Sequence, residues 1–308
     1  MSNKKYVNLD ANESIFFARE LEAVKAKSYD VQYAELKARK LIPVSFEAGA
    51  GAETIKYEQY DQVGMAKIIA NYAHDLPRAD VKGKEFISVV RSLGDSFGYN
   101  VQEVRAAKMA GKPLEQRRAN AAKRAILQLE NSIAFSGDAA HNLGGLLNAA
   151  NITEVTIPND GTGASKLWST KTPDQILRDM NLVANTPSEL TKMVEAPDTM
   201  LLPVAKFNFI SSTRLSTASD TTILKYFLAN NPYIKAVEPL NELAAFYAGD
   251  DGIFVYKRDP DKLTLEIPQD FEQFPEQEQG LEFVVPCHSR CGGVIVYYPL
   301  SIAYGKGI

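Results

Sequence analysis

The 308 residues are enough for one large hydrophobic core or two smaller ones, and an apolar content of 45% excludes a disordered chain. Thirty-four basic against 38 acidic side chains leave a formal net charge of −4, so whole-chain charge gives no argument for nucleic-acid binding. Apolar runs such as residues 199–204 and 283–285 fall far short of the ~20 residues that a membrane-spanning helix needs.

In chain order, the N-terminus from Met1 to Lys5 leads into polar and acidic sequence without the apolar stretch of a signal peptide, which implies synthesis in the cytoplasm. Residues 12–27 read as a helix capped by Asn12 or Ser14, with Phe17, Leu21 and Val24 on one narrow stripe. That stripe is too thin to bury by itself. Residues 29–40 are charged and only weakly periodic, and Pro43 ends whatever helix they form. The first 48 or so residues therefore read as an arm that docks elsewhere.

β-Branched and aromatic residues then become frequent, with extended segments expected at 55–60 and 86–90 around a polar loop that contains Gly83. This is a projecting hairpin. A helical run over 101–135 follows, loosened at Gly111-Lys112 and restarted at Pro113, where a missing N–H costs nothing. Ala122, Ile126, Leu129 and Ile133 form its expected apolar stripe, with Arg117, Arg118, Lys123 and Arg124 on the remaining surface. The run holds seven Lys/Arg against three Asp/Glu, whereas residues 151–279 hold eleven against nineteen. One face of the folded object is expected to be basic and another acidic.

Past Gly144-Gly145, short strands are expected near 153–157, a helix over 174–184 capped by Thr170 or Thr172, strands at 200–204 and 207–210, and a helix from an Asp220 cap to Leu228. Strands at 253–257, 263–267, 281–285 and 293–298 complete an α+β pattern.

Apparent chemical motifs fail on inspection. Gly49-Ala50-Gly51 has no preceding strand and no third glycine, and Gly161 to Lys166 lacks the spacing of a phosphate loop. Cys287-His288-x-x-Cys291 offers three soft ligands where a structural zinc site needs four, and His74 and His141 sit in unrelated loops. In a strand the two cysteine α-carbons would lie about 13 Å apart, too far for a disulfide. They read as buried free thiols, with His288 on the opposite face and so unable to serve Cys287 as a base. No GxSxG elbow occurs, and Asp250-Asp251 and Asp259/Asp261 flank turn residues. No catalytic, cofactor or metal site is expected, and the protein is read as not an enzyme.

A hairpin leading into one long helix that stops at Gly137-Asp138, then Gly144-Gly145-Leu146-Leu147-Asn148, resembles the shell subunits of tailed phages and bacterial encapsulins, which share the Hong Kong 97 fold. The likeness continues through Pro197-Asp198-Thr199-Met200-Leu201-Leu202-Pro203, Asp220-Thr221-Thr222-Ile223-Leu224, residues 256–260 and 287–296, and Tyr304-Gly305-Lys306-Gly307-Ile308. Together these resemble a family of phage and prophage major capsid proteins. The resemblance implies an N-terminal arm (1–46), an E-loop (47–93), a peripheral (P) domain (94–171) with spine helix 101–135, an axial (A) domain (172–262), and a return to the P-domain (263–308). It implies self-assembly, as hexamers and pentamers, into an icosahedral shell around double-stranded DNA. Phe17, Leu21 and Val24 would make arm contacts, and Arg117, Arg118, Lys123 and Arg124 would face the DNA without reading its sequence. Portal, scaffold and decoration proteins are the further partners it suggests, in a virion capsid assembled in the host cytoplasm. The long N-terminal scaffolding region of the founding member is missing, so a separate scaffold or none is expected. An encapsulin-type compartment holding cargo enzymes is the alternative.

Overall fold

The computed structural model describes residues 32–64, 78–111, 114–216 and 220–308, and Leu36–Ile308 form one unit. The helix expected over 12–27, with Phe17, Leu21 and Val24, lies outside the described residues.

Ala38–Leu41 makes a single helical turn (α1), and Val44–Ser45 (β1) pairs in parallel with Leu263–Glu266 (β9). The end of the expected arm is thus built into the body, with Leu41 and Ile42 fully buried. A helix start has orphan N–H groups, and here Asn131 Oδ1 accepts from both Lys37 N and Ala38 N at 3.0 Å.

Thr54–Val63 (β2) and Asp80–Val89 (β3) form the expected hairpin, in antiparallel register from Thr54↔Val89 to Val63↔Asp80. Side chains alternate between its faces. On one, Tyr57 stacks on Phe86 at 5.1 Å and meets Tyr297 edge-on at 4.9 Å, which ties the hairpin to the body. On the other, Tyr60, Val81 and Ile87 are exposed. Both strands run further than expected, and Gly83 is a ladder residue rather than a loop residue. Tyr60, directly opposite, lays its ring over Gly83 and supplies the surface that the glycine lacks.

Arg91–Asn100 (β4) is a strand that the sequence did not announce, because Gly94, Asp95 and Gly98 read as turn residues. Ten-residue antiparallel pairing with Glu282–Cys291 (β12) overrides that preference. Gln269–Gln273 (β10) and Gln277–Gln279 (β11) also pair with β12.

The helical run divides as expected into Val101–Ala110 (α2) and Leu114–Ser136 (α3). Asn100 and Glu103 form a capping box on α2, and Gly111, left-handed at φ 63°, ends it. The buried face of α3 departs from the expected stripe. Leu129 is 46% exposed, while Ala122, Ile126, Glu130 and Ile133 are buried. Glu130 can go inside because Arg39 meets it with two hydrogen bonds, at 2.7 and 2.8 Å, and so pairs its charge.

Thr153–Val155 (β5), Thr199–Leu202 (β6), Ala236–Pro239 (β7), Gly252–Tyr256 (β8) and Ala303–Lys306 (β14) make a five-stranded sheet in the order β5-β14-β8-β6-β7. Its two faces serve different clusters. Leu201 and Phe254 pack with the cluster around α3, and their neighbours Met200, Leu202, Ile253 and Val255 pack with the cluster around Pro173–Leu190 (α4). Thr172 caps α4 in a box with Gln175, and the helix runs past 184 and through Pro187. Residues 207–210, expected as a strand, lie in the helix Val204–Ser212 (α5). A four-residue apolar run cannot separate the two by periodicity. Ile223–Asn230 (α6) is capped by Thr222 and not by Asp220. Gly293–Val296 (β13) completes a three-stranded sheet, β1-β9-β13.

Candidate assembly surfaces

The α3 helix ends in a knot of backbone. Gly137 turns left-handed at φ 69°, Leu146 N bonds Ala134 O at 2.8 Å, and Leu147 N bonds Phe135 O at 3.0 Å. Asn148 closes the turn by accepting from Gly145 N at 3.0 Å and donating to Ser136 O at 2.7 Å. The GD…GGLLN sequence is therefore a device that stops the long helix and sends the chain back along it.

Two charge clusters, each built around buried charges, hold distant segments and gave no sequence signal. Arg39 bridges Glu130 and Asp270, 91 and 231 residues away, and its hydrogen bond holds the Asp270 carboxyl below the usual range. Lys171, with its side chain fully buried, contacts Asp179 at 2.5 Å, Pro158 O at 2.8 Å and Asp160 at 3.2 Å. Arg178 pairs with both carboxylates, so the four charges cancel and the loop before Lys171 is pinned to α4.

The four basic residues singled out in the sequence all stand on α3 but not on one stripe. At 100° per residue Arg117 and Arg124 share a face, while Arg118 and Lys123 lie about 100° and 120° to either side of it. Arg118 turns to β4, donating to Gly98 O and pairing with Glu103 at 2.9 Å, which raises its own pKa and lowers that of Glu103. Lys123 places its ammonium 5.7 Å from the centre of the Phe271 ring. Arg117 is exposed and Arg124 half-buried.

Cys287 and Cys291 are free, buried and on the face of β12 that adjoins α3, where burial raises the Cys287 thiol and pushes Cys291 up to about 11. His288 pairs opposite Gly94 on the other face. Among the described residues no three His, Cys, Asp or Glu side chains are grouped to hold a metal ion, and no helix is long and apolar enough to cross a membrane.

Surfaces that a single chain leaves uncovered are more prominent than any enclosed chemistry. They are the outer hairpin face with Tyr60, Val81 and Ile87, the exposed side of α2, and a groove beside the hairpin. Residues 64–308 match the family model of the major capsid protein. The chain belongs to that family. The capsid protein is similar in structure to the capsid of Myoviridae phage XM1, with a TM-score of 0.83 at 16% identity over 96% of this chain and 99% of that one. Similarity to a chain of Mycobacterium phage Bobi gives 0.64 at 13% identity over 94% and 96%, and to a virus-like particle from Pyrococcus furiosus 0.55 at 13% over 86% and 90%. No curated protein sequence matches the chain. The capsid protein thus has the Hong Kong 97 fold that its hairpin, long helix and terminating turn resembled in sequence.

Proposed function

We propose that this capsid protein assembles, as hexamers and pentamers, into the icosahedral shell that encloses the double-stranded DNA genome of a tailed phage or prophage. The family match over 64–308 carries the reading, and the uncovered hairpin face and α2 support it, because such faces gain burial only from neighbouring copies. An encapsulin-type compartment is not favoured, since the matching family model is that of a major capsid protein. Negative-stain microscopy of the purified protein should show shells or their capsomers. A protein that stays monomeric at high concentration would sink the reading.

The same proposal covers finer assignments: the arm (1–46, with Phe17, Leu21 and Val24 making contacts between copies), the E-loop (47–93), the P-domain (94–171 and 263–308) and the A-domain (172–262). The five-stranded sheet draws β5 and β14 from outside 172–262, so the two proposed domains share it. Deleting residues 1–31, which spares the buried 38–45 segment, should leave capsomers or aggregates instead of shells.

The basic excess on α3 is proposed to face packaged DNA, lowering phosphate repulsion without reading sequence. Arg118 is paired with Glu103, so part of this basic excess is already compensated within the chain. Replacing Arg117, Arg118 and Lys123 with Gln should spare empty shells and reduce retained DNA. A density map with these side chains on the outer surface would dismiss the lining. Portal, scaffold and decoration proteins are the proposed partners, and the host cytoplasm the proposed place of assembly.

A further inference from the structure

The α2 helix is well formed yet lightly covered: Val101, Val104 and Ala107 are half-buried and its other residues are exposed. It is capped at both ends, pinned through Glu103 to Arg118, and has no buried residue. One face gathers Arg105, Lys108 and Met109, which fall within about 100° of arc at 100° per residue. Met109 is 94% exposed, and neither Arg105 nor Lys108 has an ion-pair partner among the described residues. A two-positive face with an apolar knob at its end is left without a counterpart among the described residues.

A surface of the opposite character lies between β1, the middle of β2, the turn before β9 and Tyr297-Tyr298. It is a groove of about 950 Å³. Four carboxylates line it, from Glu47, Glu58, Asp259 and Asp261, against the one cation of Lys262. Lys262 is already engaged, 2.6 Å from Glu195 and 4.2 Å from the centre of the Tyr298 ring. Asp259 is met by Lys257 at 3.8 Å, so Glu47, Glu58 and Asp261 carry the groove's negative excess, together with the exposed aromatic surface of Phe46, Tyr60 and Tyr298.

We propose that the Arg105/Lys108/Met109 face of α2 from one copy docks into this acidic, aromatic groove of a second copy. Arg105 and Lys108 meet the carboxylates, and the Met109 thioether packs on the rings, a contact that sulfur makes favourably. Two different surfaces meet, so the contact is heterologous, and repetition about a rotation axis closes it into a ring. The inference rests on the shell reading, to which it adds one specific contact between neighbours. An interface of exposed charges is screened by salt, so assembly weakens as ionic strength rises.

The test is charge exchange in the full chain, read by sedimentation and negative stain. Arg105→Glu with Lys108→Glu should lose shells and leave smaller species, and so should Glu58→Lys with Asp261→Lys. All four positions are exposed, and lysine at 58 would face Glu85 across the ladder, so the hairpin is preserved. Combining the four substitutions restores opposite charges and should restore shells. If either double variant assembles like the parent, or if the quadruple variant assembles no better than the doubles, the docking contact is wrong while the shell reading stands. If the parent itself forms no assemblies, the shell reading falls and takes this inference with it.

Discussion

Gly145→Ala should break the turn that ends the long helix. A Cβ on Gly145 would lie 2.3 Å from Gly137 N, 2.7 Å from Phe135 O and 2.7 Å from the Ser136 carbonyl carbon. All three are backbone atoms, so no flexible side chain can swing away. Moving the nearest contact out to an ordinary 3.4 Å requires the two chain segments to separate by about 1 Å. That separation weakens the Leu146-to-Ala134 and Leu147-to-Phe135 bonds, each about 1 kcal/mol net, and adds overpacking strain of about 1–3 kcal/mol. The expected loss is about 3–5 kcal/mol, a large share of the roughly 5–15 kcal/mol typical of a domain. Urea unfolding of unassembled subunits measures it, with two controls. Gly49→Ala, in open space, should stay within about 0.5 kcal/mol of the parent. Gly163→Ala, also open but at φ 75°, should lose roughly 1–2 kcal/mol to left-handed backbone strain alone. If Gly145→Ala unfolds at the Gly49→Ala midpoint, the close-packed turn is not what the geometry says it is.

Other perturbations test the charge clusters and the thiols. Lys171→Met leaves Asp179 buried beside Asp160 and should cost about 3–5 kcal/mol. The Lys171→Met, Asp179→Leu pair should recover most of that loss in the same melt, and a double variant as unstable as the single one would refute the pairing. Arg39→Ala strands Glu130 and should cost roughly 3 kcal/mol, with Arg39→Lys recovering only part because an ammonium cannot fork to two carboxylates. Arg39 depresses the folded-state pKa of Asp270, so the stability from that pairing is present above the unfolded value of 3.8 and lost as pH falls through the lower folded value. The parent should therefore lose more of its urea midpoint below pH ~4 than Arg39→Ala does. Cys291, pushed by burial from 9.0 to about 11, should hold about one-hundredth of an ordinary thiol's thiolate at pH ~8 and react correspondingly slowly with a thiol reagent until denatured. Its raised value contributes stability that is whole below about pH 9 and lost as pH rises toward about 11.

Much of the architecture was legible in the sequence because its signals are local. A capping residue and its box partner are three apart, as at Thr172 and Gln175. A long helix shows itself by period, and the stop after Phe135 by its glycines. Such local signals gave the two-part helix and the turn, while the likeness to phage shells came from motifs that resemble that family. The basic residues of α3 were equally visible, but not their partners, since Arg118 turns to Glu103 and Gly98 only once β4 lies beside the helix. What tertiary structure decided are the places where a distant partner reverses a local preference. Residues 91–100 become a strand through a partner nearly two hundred positions away, and Glu130 displaces Leu129 from the buried face because Arg39 neutralises it. Residues 38–45, at the end of the expected arm, are held against the body because β9 offers a parallel edge and Asn131 accepts from two N–H groups. Burial of charge and pairing of strands depend on what stands opposite, and a sequence shows which groups need partners without showing where the fold will put them.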